Sequence, residues 1–599
     1  MNYFKKLVFS ITLIIISTQS TLAQDTLTNN QRYLYTDQNQ LSSEIKIDST
    51  LFNKGFVVSF EELIAGRIAG LQVTSNSGAP NSGFTIINRG STNSSFRNTP
   101  LIVIDNVIVN TISIPINPND IESIIMLKDA VDTAIFGQNG ALGILIINTK
   151  KGTKKLQVNY SGKVGIGELA KKVDVFSADE FRNLINSRFP NKTNLLGTVN
   201  IDWQDEIYRT SYSQDHHVAV SGSVLNIPLR ASIGNTDQNG IVKTSNFNRT
   251  TAEFSANPSF FKNHLKIDTH IKTNNNRERL ANESAINAAL VYNPTQPSRE
   301  DGTNPTNLLN WRNDSFKRNT FVGNILIDYQ FHFFKDLRIL FNYACVESSE
   351  QNSLTNHFYN ASFVNDQMVF SWQDSYFKNN VNQKNKQYDT WLDYNKSFKK
   401  SRSSLNLKLG HTNLNSEITS YSNEEQYPYN YNSSAFYTSR ITFFSTLHYS
   451  LLNKYDFKFS VTQDRNSYFN QPTSYFPAFS LGWNLKNEIF KNSNTVSLLK
   501  FRLGYGSSGS GQKSPNFGFS QEINTQFNSG LAFAFLKNRI WGNVDYYRRV
   551  SDKTIDYITA GALLNLSFTG LRNMNTIKNE GIELAIGSKI ISINNPFIF

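Results

Sequence analysis

From Leu156 onward the chain is written with a period of two, and this pattern constrains its fold more than any motif does. Tyr455, Phe457, Phe459 and Val461 alternate with Asp456, Lys458, Ser460 and Thr462. Phe501, Leu503 and Tyr505 alternate with Arg502, Gly504 and Gly506, and Ile582, Leu584 and Ile586 with Glu583, Ala585 and Gly587. Successive side chains of a strand point to opposite faces, so each of these strands has one apolar, aromatic face and one charged or small face. A soluble sandwich turns the apolar face inward; an outer-membrane barrel turns it to lipid. Alternation alone does not choose. Three features favour the barrel. The pattern runs for hundreds of residues without a helical interval. Asn-, Ser- and Asp-rich loops of unequal length interrupt it, as between Gln351 and Asn360 or Ser420 and Ser434. Aromatics stand at strand ends (Trp391, Tyr394, Tyr449, Tyr455, Trp483, Tyr546 and Tyr547), where interfacial girdles belong.

The rest of the composition narrows the field. Residues 1–23 read as an export signal: Lys5 and Lys6, an apolar run from Leu7 to Ile16, then Thr21-Leu22-Ala23 before Gln24. No Cys follows, so a lipid-anchored form is not expected. Beyond residue 23 no apolar run reaches the roughly 18 residues of a membrane helix, and mean hydropathy is -0.39. The lone Cys345 excludes an intramolecular disulfide and a Cys-based zinc cluster. With 44 Phe and 26 Tyr the chain is too aromatic for a disordered one. The net charge of +12 is dispersed rather than clustered, which argues against nucleic acid.

Residues 55–152 have a different grammar, that of a small α/β domain. Ser59 and Glu62 form a capping box ahead of Phe60, Leu63, Ile64 and Ile68 at helical spacing, with Gly70 as the stop. Leu71 to Thr74 reads as a strand, followed by the turn-rich Ser75-Asn76-Ser77-Gly78-Ala79-Pro80. Leu101 to Asp105 is a strand buried on both faces, Asp120 caps a helical turn, and Ile124 to Lys128 is another strand. Asp129 opens a helix that ends at Gly137, and Gly143 to Thr149 is the last strand before Lys150-Lys151-Gly152.

Several stretches resemble one family. "LIAGRIAGLQVTSNSGAPNSG", "NPNDIESIIMLKDA" and "AIFGQNGALGILIINTKKG" in the first region, then "DWQDEIYRTSYSQDHHVAVSG", Asp237 to Lys243, Tyr292-Asn293-Pro294-Thr295, "YFPAFSLGWNL", "VDYYRR" and "NEGIEL", are similar to the SusC/RagA-like TonB-linked outer-membrane transporters of Bacteroidetes-type bacteria. The match spans roughly residues 60 to 590. The resemblance implies an all-β transmembrane barrel, about 22 strands in the family, with an N-terminal α/β plug domain inside it. It also implies a cell outer membrane location and import of oligosaccharides or peptides. A SusD-like surface lipoprotein would act as lid, and a TonB-type protein would pull on the plug. The domain reading is then 1–23 signal peptide, 24–54 N-terminal extension, 55–152 plug and 153–599 barrel. Leu41 to Lys54, with "SSEIKIDST", is the place left for an energy-coupling box. About thirty residues before the plug are too few for the small sandwich domain that family members often carry. The family's Asp-Gly turn is Asp105-Asn106, and Asn tolerates the left-handed conformation. Only about fourteen to sixteen strands are counted, and Pro596 falls inside what would be the last of them. A truncated gene product or a fragment, with an incomplete barrel, is therefore expected, although Phe599 matches the terminal Phe of barrel proteins.

No residues suggest catalysis. Gly504, Gly506 and Gly509 match a dinucleotide pattern but lead into a loop rather than a helix. His216 and His217 are adjacent and point to opposite faces of a strand, and the other histidines lack ligand spacing. No catalytic, cofactor-binding or metal residue is assigned, and no cofactor is expected. Asp456 and Lys458 are lumen-facing by alternation, but no substrate-binding residue follows from the sequence. Three readings stay open: energy-coupled import, a non-transporting structural or adhesin barrel, and a fragment of such a transporter that does not transport.

Overall fold

A computed structural model describes residues 45–589 apart from 93–98, 110–113, 298–303, 365–366, 425–429, 468–472, 511–521, 560–568 and 574–575. The export signal, Pro596 and Phe599 lie outside the described residues.

The first part is a compact domain built on a five-stranded sheet of order β1-β6-β7-β4-β5. Its strands are β1 (Ile45–Asp48), β4 (Leu101–Ile104), β5 (Val107–Val109), β6 (Ile121–Leu127) and β7 (Ile144–Thr149). β4 and β7 run parallel and the other pairs antiparallel. β4 and β7 are buried at every position, as their unbroken apolar runs require. A separate hairpin joins β2 (Leu71–Ser75) and β3 (Phe84–Asn88). The capping box forms as read, with Ser59 and Glu62 satisfying each other's backbone N–H groups. The helix behind it, α1 (Phe60–Ile64), is a single turn; Ile68 is buried beyond its end, and Gly70 is a left-handed corner rather than a stop. Asn117, not Asp120, caps the Pro118–Asp120 turn. Asp129 precedes α2 (Ala130–Thr133), which continues as 3-10 helix to Asn139 with a kink at Gly137. Ile45–Asp48, placed by sequence in the extension, pairs with β6 and buries Ile47 in the core.

The second part is a wall of antiparallel strands curled into a barrel around this domain. In order they are β8 (Gln157–Gly167), β9 (Ser211–Val224), β10 (Ile227–Asn239), β11 (Asn246–Ala256), β12 (Ser259–Phe260), β13 (Leu265–Leu280), β14 (Arg312–Gln330), β15 (Leu337–Val364) and β16 (Gln367–Phe398). They continue through β17 (Ser403–Glu424), β18 (Asn430–Leu451), β19 (Tyr455–Asn466), β20 (Thr473–Asn484), β21 (Val496–Ser510), β22 (Glu522–Phe535) and β23 (Ile540–Asp552). A small hairpin, β24 (Ile555–Thr559) and β25 (Thr569–Asn573), leads to β26 (Ile577–Ser588) beside β23. With β12 counted as the continuation of β11 along β13, the described wall has sixteen strands.

Every neighbouring pair has a residue-by-residue register except the seam of β26 and β8. There the outward apolar residues are the more exposed, Val158 at 66% and Ile582 at 75% against 48% for Phe459 within the wall. Short turns lie at one end of the barrel and long connections at the other. Those long connections hold helices, among them Ala178–Arg188, Ser284–Val291 and Pro305–Trp311. The absence of helical intervals expected from sequence is thus corrected. The stretches 351–360 and 420–434, read as loops, belong to extended strands as far as they are described: β15 is 28 residues and β16 is 32. A membrane needs only about ten residues per strand, so the polar remainder stands above the lipid and loses its apolar signal. No described helix is long and apolar enough to cross a membrane.

The alternation points its apolar side outward. Phe457, Phe459, Phe479, Leu481 and Tyr505 are exposed, while Ser460, Thr462 and Asp464 are buried against the inner domain. Tyr455 and Trp483 sit together at the short-turn end, both bonded to Glu488. Trp391 and Tyr547, read as girdle residues, instead turn inward. Phe459 lies in the apolar band between Leu447 and Phe479. Phe459→Arg is expected to cost about 2–4 kcal/mol of folding free energy in lipid, as for a charge on the lipid face. Urea titration of the refolded barrel measures it, and a cost within about 0.5 kcal/mol, as for a plain surface site, would contradict an outward, lipid-covered face.

Candidate functional site in the barrel lumen

The lumen face of the wall is mostly polar; beside apolar patches at Val322, Ala344 and Val346 and at Ala478, the inner domain is held by charge and hydrogen bonds. The densest contact gathers around Glu583 of β26. Its carboxylate accepts from Arg89 Nε at 2.8 Å and Nη2 at 3.1 Å, and from Lys128 Nζ at 2.6 Å. Lys128 also donates to the Ala69 carbonyl, and Arg89 stacks over the Tyr547 ring at 4.9 Å. Gly70 has φ +76°, and a Cβ there would fall 1.8 Å from Glu583 Oε1, so only glycine admits this carboxylate. Arg549 of β23 donates to the carbonyls of Asn88, Arg89, Gly90 and Ala141, fixing the corner that carries Arg89.

A second contact is the turn between β4 and β5. Asp105 and Asn106 both have positive φ, as a two-residue hairpin turn demands. Asp105 accepts from Lys272 Nζ and Thr149 Oγ1, each at 2.6 Å, and Gln387 and Asn342 donate to the Asn106 carbonyl. Burial works to raise the Asp105 carboxyl, but the Lys272 charge, with His270 and the hydrogen bonds, holds it far below the usual range. At a third contact Asp120 meets Arg230 Nη2 at 2.5 Å and His217 Nε2 at 2.8 Å. Burial again pushes upward, and the His217 bond and Arg230 charge bring the Asp120 carboxyl below its ordinary value. A fourth joins Lys458 to Asp132 at 2.6 Å, and Asp464 to the Gln138 amide at 2.8 Å.

These contacts place the residues singled out from sequence. Lys458 faces the lumen as alternation required, and so does Asp456, paired with Lys500. His217 points in and His216 points out, stacked near Tyr160. Gly504, Gly506 and Gly509 lie within β21, beyond the expected strand end; Gly506 leaves room for Ala130 of α2. Sequence reasoning missed Arg89, Lys128, Arg549 and Glu583. Of these only Glu583 carried a signal, standing on the polar side of Ile582, Leu584 and Ile586.

Asp105, Glu253 and His270 present ligand atoms within 4.8 Å of one another. Lys272 Nζ, 2.6 Å from Asp105 and 3.6 Å from Glu253, already supplies the positive charge there. The donor set therefore fits an ammonium better than a metal ion.

At the long-connection end a cavity of about 790 Å³ opens between α1, the 76–83 loop and strands β10, β11, β13 and β14. Glu61 of α1 is half-buried in its lining, and desolvation raises its carboxyl to about 7.

The comparisons agree with this architecture. The family model described as TonB-dependent Receptor Plug Domain matches residues 37–144. The chain is 33% identical to the TonB-dependent receptor SusC of Bacteroides thetaiotaomicron over 90% of its own length and 62% of that protein. Over most of its length the chain is similar to the SusC/RagA-like TonB-dependent receptors. It is an outer-membrane protein, and its relatives are receptors and transporters, not enzymes. TonB-dependent receptor P3 of Formosa agariphila is 27% identical over 89% of this chain and 59% of its own. The chain thus spans about three-fifths of the length of these curated relatives. Among solved structures, the RagAB peptide transporter superposes with a TM-score of 0.80 at 18% identity, covering 93% of this chain and 72% of that one. The unliganded ferric citrate transporter FecA gives 0.60 at 11% identity, covering 91% and 74%.

Removing the carboxylate at the densest contact leaves buried Lys128 without its ion-pair partner and Arg89 with only Asp129, 3.6 Å away. Glu583→Ala is expected to cost about 3–5 kcal/mol, read as a lowered thermal midpoint in detergent. Replacing Arg89, Lys128 and Glu583 together by Met, Leu and Leu should recover most of that loss. The pH dependence has two opposite parts. Asp105 and Asp120 titrate below their unfolded value near 3.8, so their stabilisation is complete above it and is lost as pH falls further. Glu61 titrates above its unfolded value of 4.5, so its contribution declines as pH rises from 4.5 to about 7. Glu61→Gln should abolish that decline in melting curves collected from pH 4 to 8.

Proposed function

We propose that the protein imports oligosaccharides or peptides across the outer membrane. A TonB-type protein would work on the plug, and a SusD-like lipoprotein would close the mouth. The observation that carries this is the nature of the plug's attachment. Its apolar core is mostly its own, joined by Val322, Ala344 and Val346 of the wall, whereas its other main contacts with the wall are discrete ion pairs and hydrogen bonds. A domain built this way is able to shift or open locally without dissolving the wall, because its most exposed elements open at the least free energy. β1 supports the same reading: four residues at the sheet edge, inside the segment proposed for energy coupling, give traction a place to start. The cavity faces the long connections, the outer side of such barrels. The two kinds of substrate follow from the family resemblance, and the peptide kind also from the likeness to RagAB.

Deleting residues 41–54 should abolish growth on the glycan or peptide that the intact protein supports, while a heat-modifiable barrel persists in outer membranes. Unchanged growth on every glycan and peptide tested would sink import and favour a non-transporting barrel.

A further inference from the structure

The cavity wall is a small lattice whose rows are set by strand register. One row crosses Thr236, Arg249, Asn276 and Arg318 on β10, β11, β13 and β14; the next crosses Gln238, Phe247, Glu278 and Phe316. Residues two apart on a strand share a face, so both rows face the lumen together. The two arginines differ in their partners. Arg318 is paired with Glu350 at 2.8 Å and stacked on the Phe316 ring at 4.5 Å. Arg249 is just as buried, yet among the described residues it has no carboxylate within ion-pair distance. It touches Thr236 Oγ1 at 3.3 Å and lies 5.9 Å over Phe247, and its Nε has no hydrogen-bond partner. Gln238, on the same lattice, has an unpartnered side-chain oxygen. Glu61, Glu62 and Asp215 lie near enough for their charges to act on Arg249, but none forms an ion pair with it: Glu62 accepts from the Val58 and Ser59 amides and Asp215 from Thr236 and Asn119. A buried guanidinium with an unused donor is costly unless something binds it, and its planar fork matches a carboxylate.

We propose that Arg249 is a ligand-binding residue that receives a carboxylate of the imported molecule, with Gln238 accepting a hydroxyl or N–H from the same ligand. The substrate class is therefore an acidic oligomer rather than a neutral one. This rests on the import reading for its purpose, while binding itself needs neither plug movement nor a TonB-type partner. Two sources carry the required group, a uronic-acid glycan and an acidic peptide.

The test is isothermal titration of the full-length protein in detergent with tri-galacturonate, its methyl ester, tri-glutamate and tri-alanine amide. One of the two acids should bind, with its uncharged counterpart weaker by about tenfold or more, the loss expected for one charge-assisted fork. Which acid binds identifies the source. Arg249→Gln should lose a similar factor and Arg249→Lys less. Unshifted heat-modifiability and thermal midpoint would show that both variants fold. If Arg249→Gln does not fold, the acid-against-uncharged ratio on the unaltered protein decides. Equal binding of charged and uncharged forms, no binding of either acid, or an unchanged affinity in folded Arg249→Gln would overturn the proposal. Loss of growth after deletion of residues 41–54 alongside no acid binding would leave import standing and remove only the substrate class.

Discussion

Backbone laid in hydrocarbon has no water to bond, so each amide in a spanning strand must find its partner in the next strand. The architecture follows from that constraint. Strands in antiparallel order satisfy one another around a wall, and side-chain alternation then sends one residue to lipid and the next to the lumen. A wall of sixteen described strands is too wide for its own side chains to fill. The space is taken by a second fold, and because the lumen face is largely polar, that fold is attached largely by polar contacts. Asp105, Asp120, Asp132 and Glu583 are four answers to one question: how to bury a carboxylate between two bodies without leaving it alone.

Much of this was legible in the sequence because a period of two is a strong signal wherever one face meets lipid. Phe457 and Phe459 against Lys458 and Ser460 gave the strand, and the long run of such strands with aromatics at their ends gave its orientation. The signal fades where lipid ends. In β15 the stretch around Asn352 is polar on both faces, and it read as loop although its ladder with Asn379 of β16 continues. Trp391 and Tyr547 show the complementary limit: an aromatic near a strand end fits a girdle by composition, and only register reveals that it faces the lumen.

The plug was legible as elements but not as contacts. The unbroken apolar runs of β4 and β7 fixed buried strands, and Ser59 with Glu62 fixed a helix start. Nothing local distinguishes Arg89 or Lys128 from surface cations, since the carboxylate that buries them lies more than 400 residues away. Arg249 is harder still. Its significance lies in a missing partner, which is a property of the packed lattice and not of any stretch of chain.

Arg89 and Glu583 are separated by 494 positions, which bears on the order of assembly. The plug leaves the ribosome first, with Arg89 and Lys128 already in its fold, and their counter-charge arrives on β26, last in the described wall. Until β26 is laid down, a seated plug would bury Lys128 without its carboxylate and leave Arg89 only Asp129 of its own domain, a costly state. The plug therefore gains this part of its hold only once β26 lies beside it.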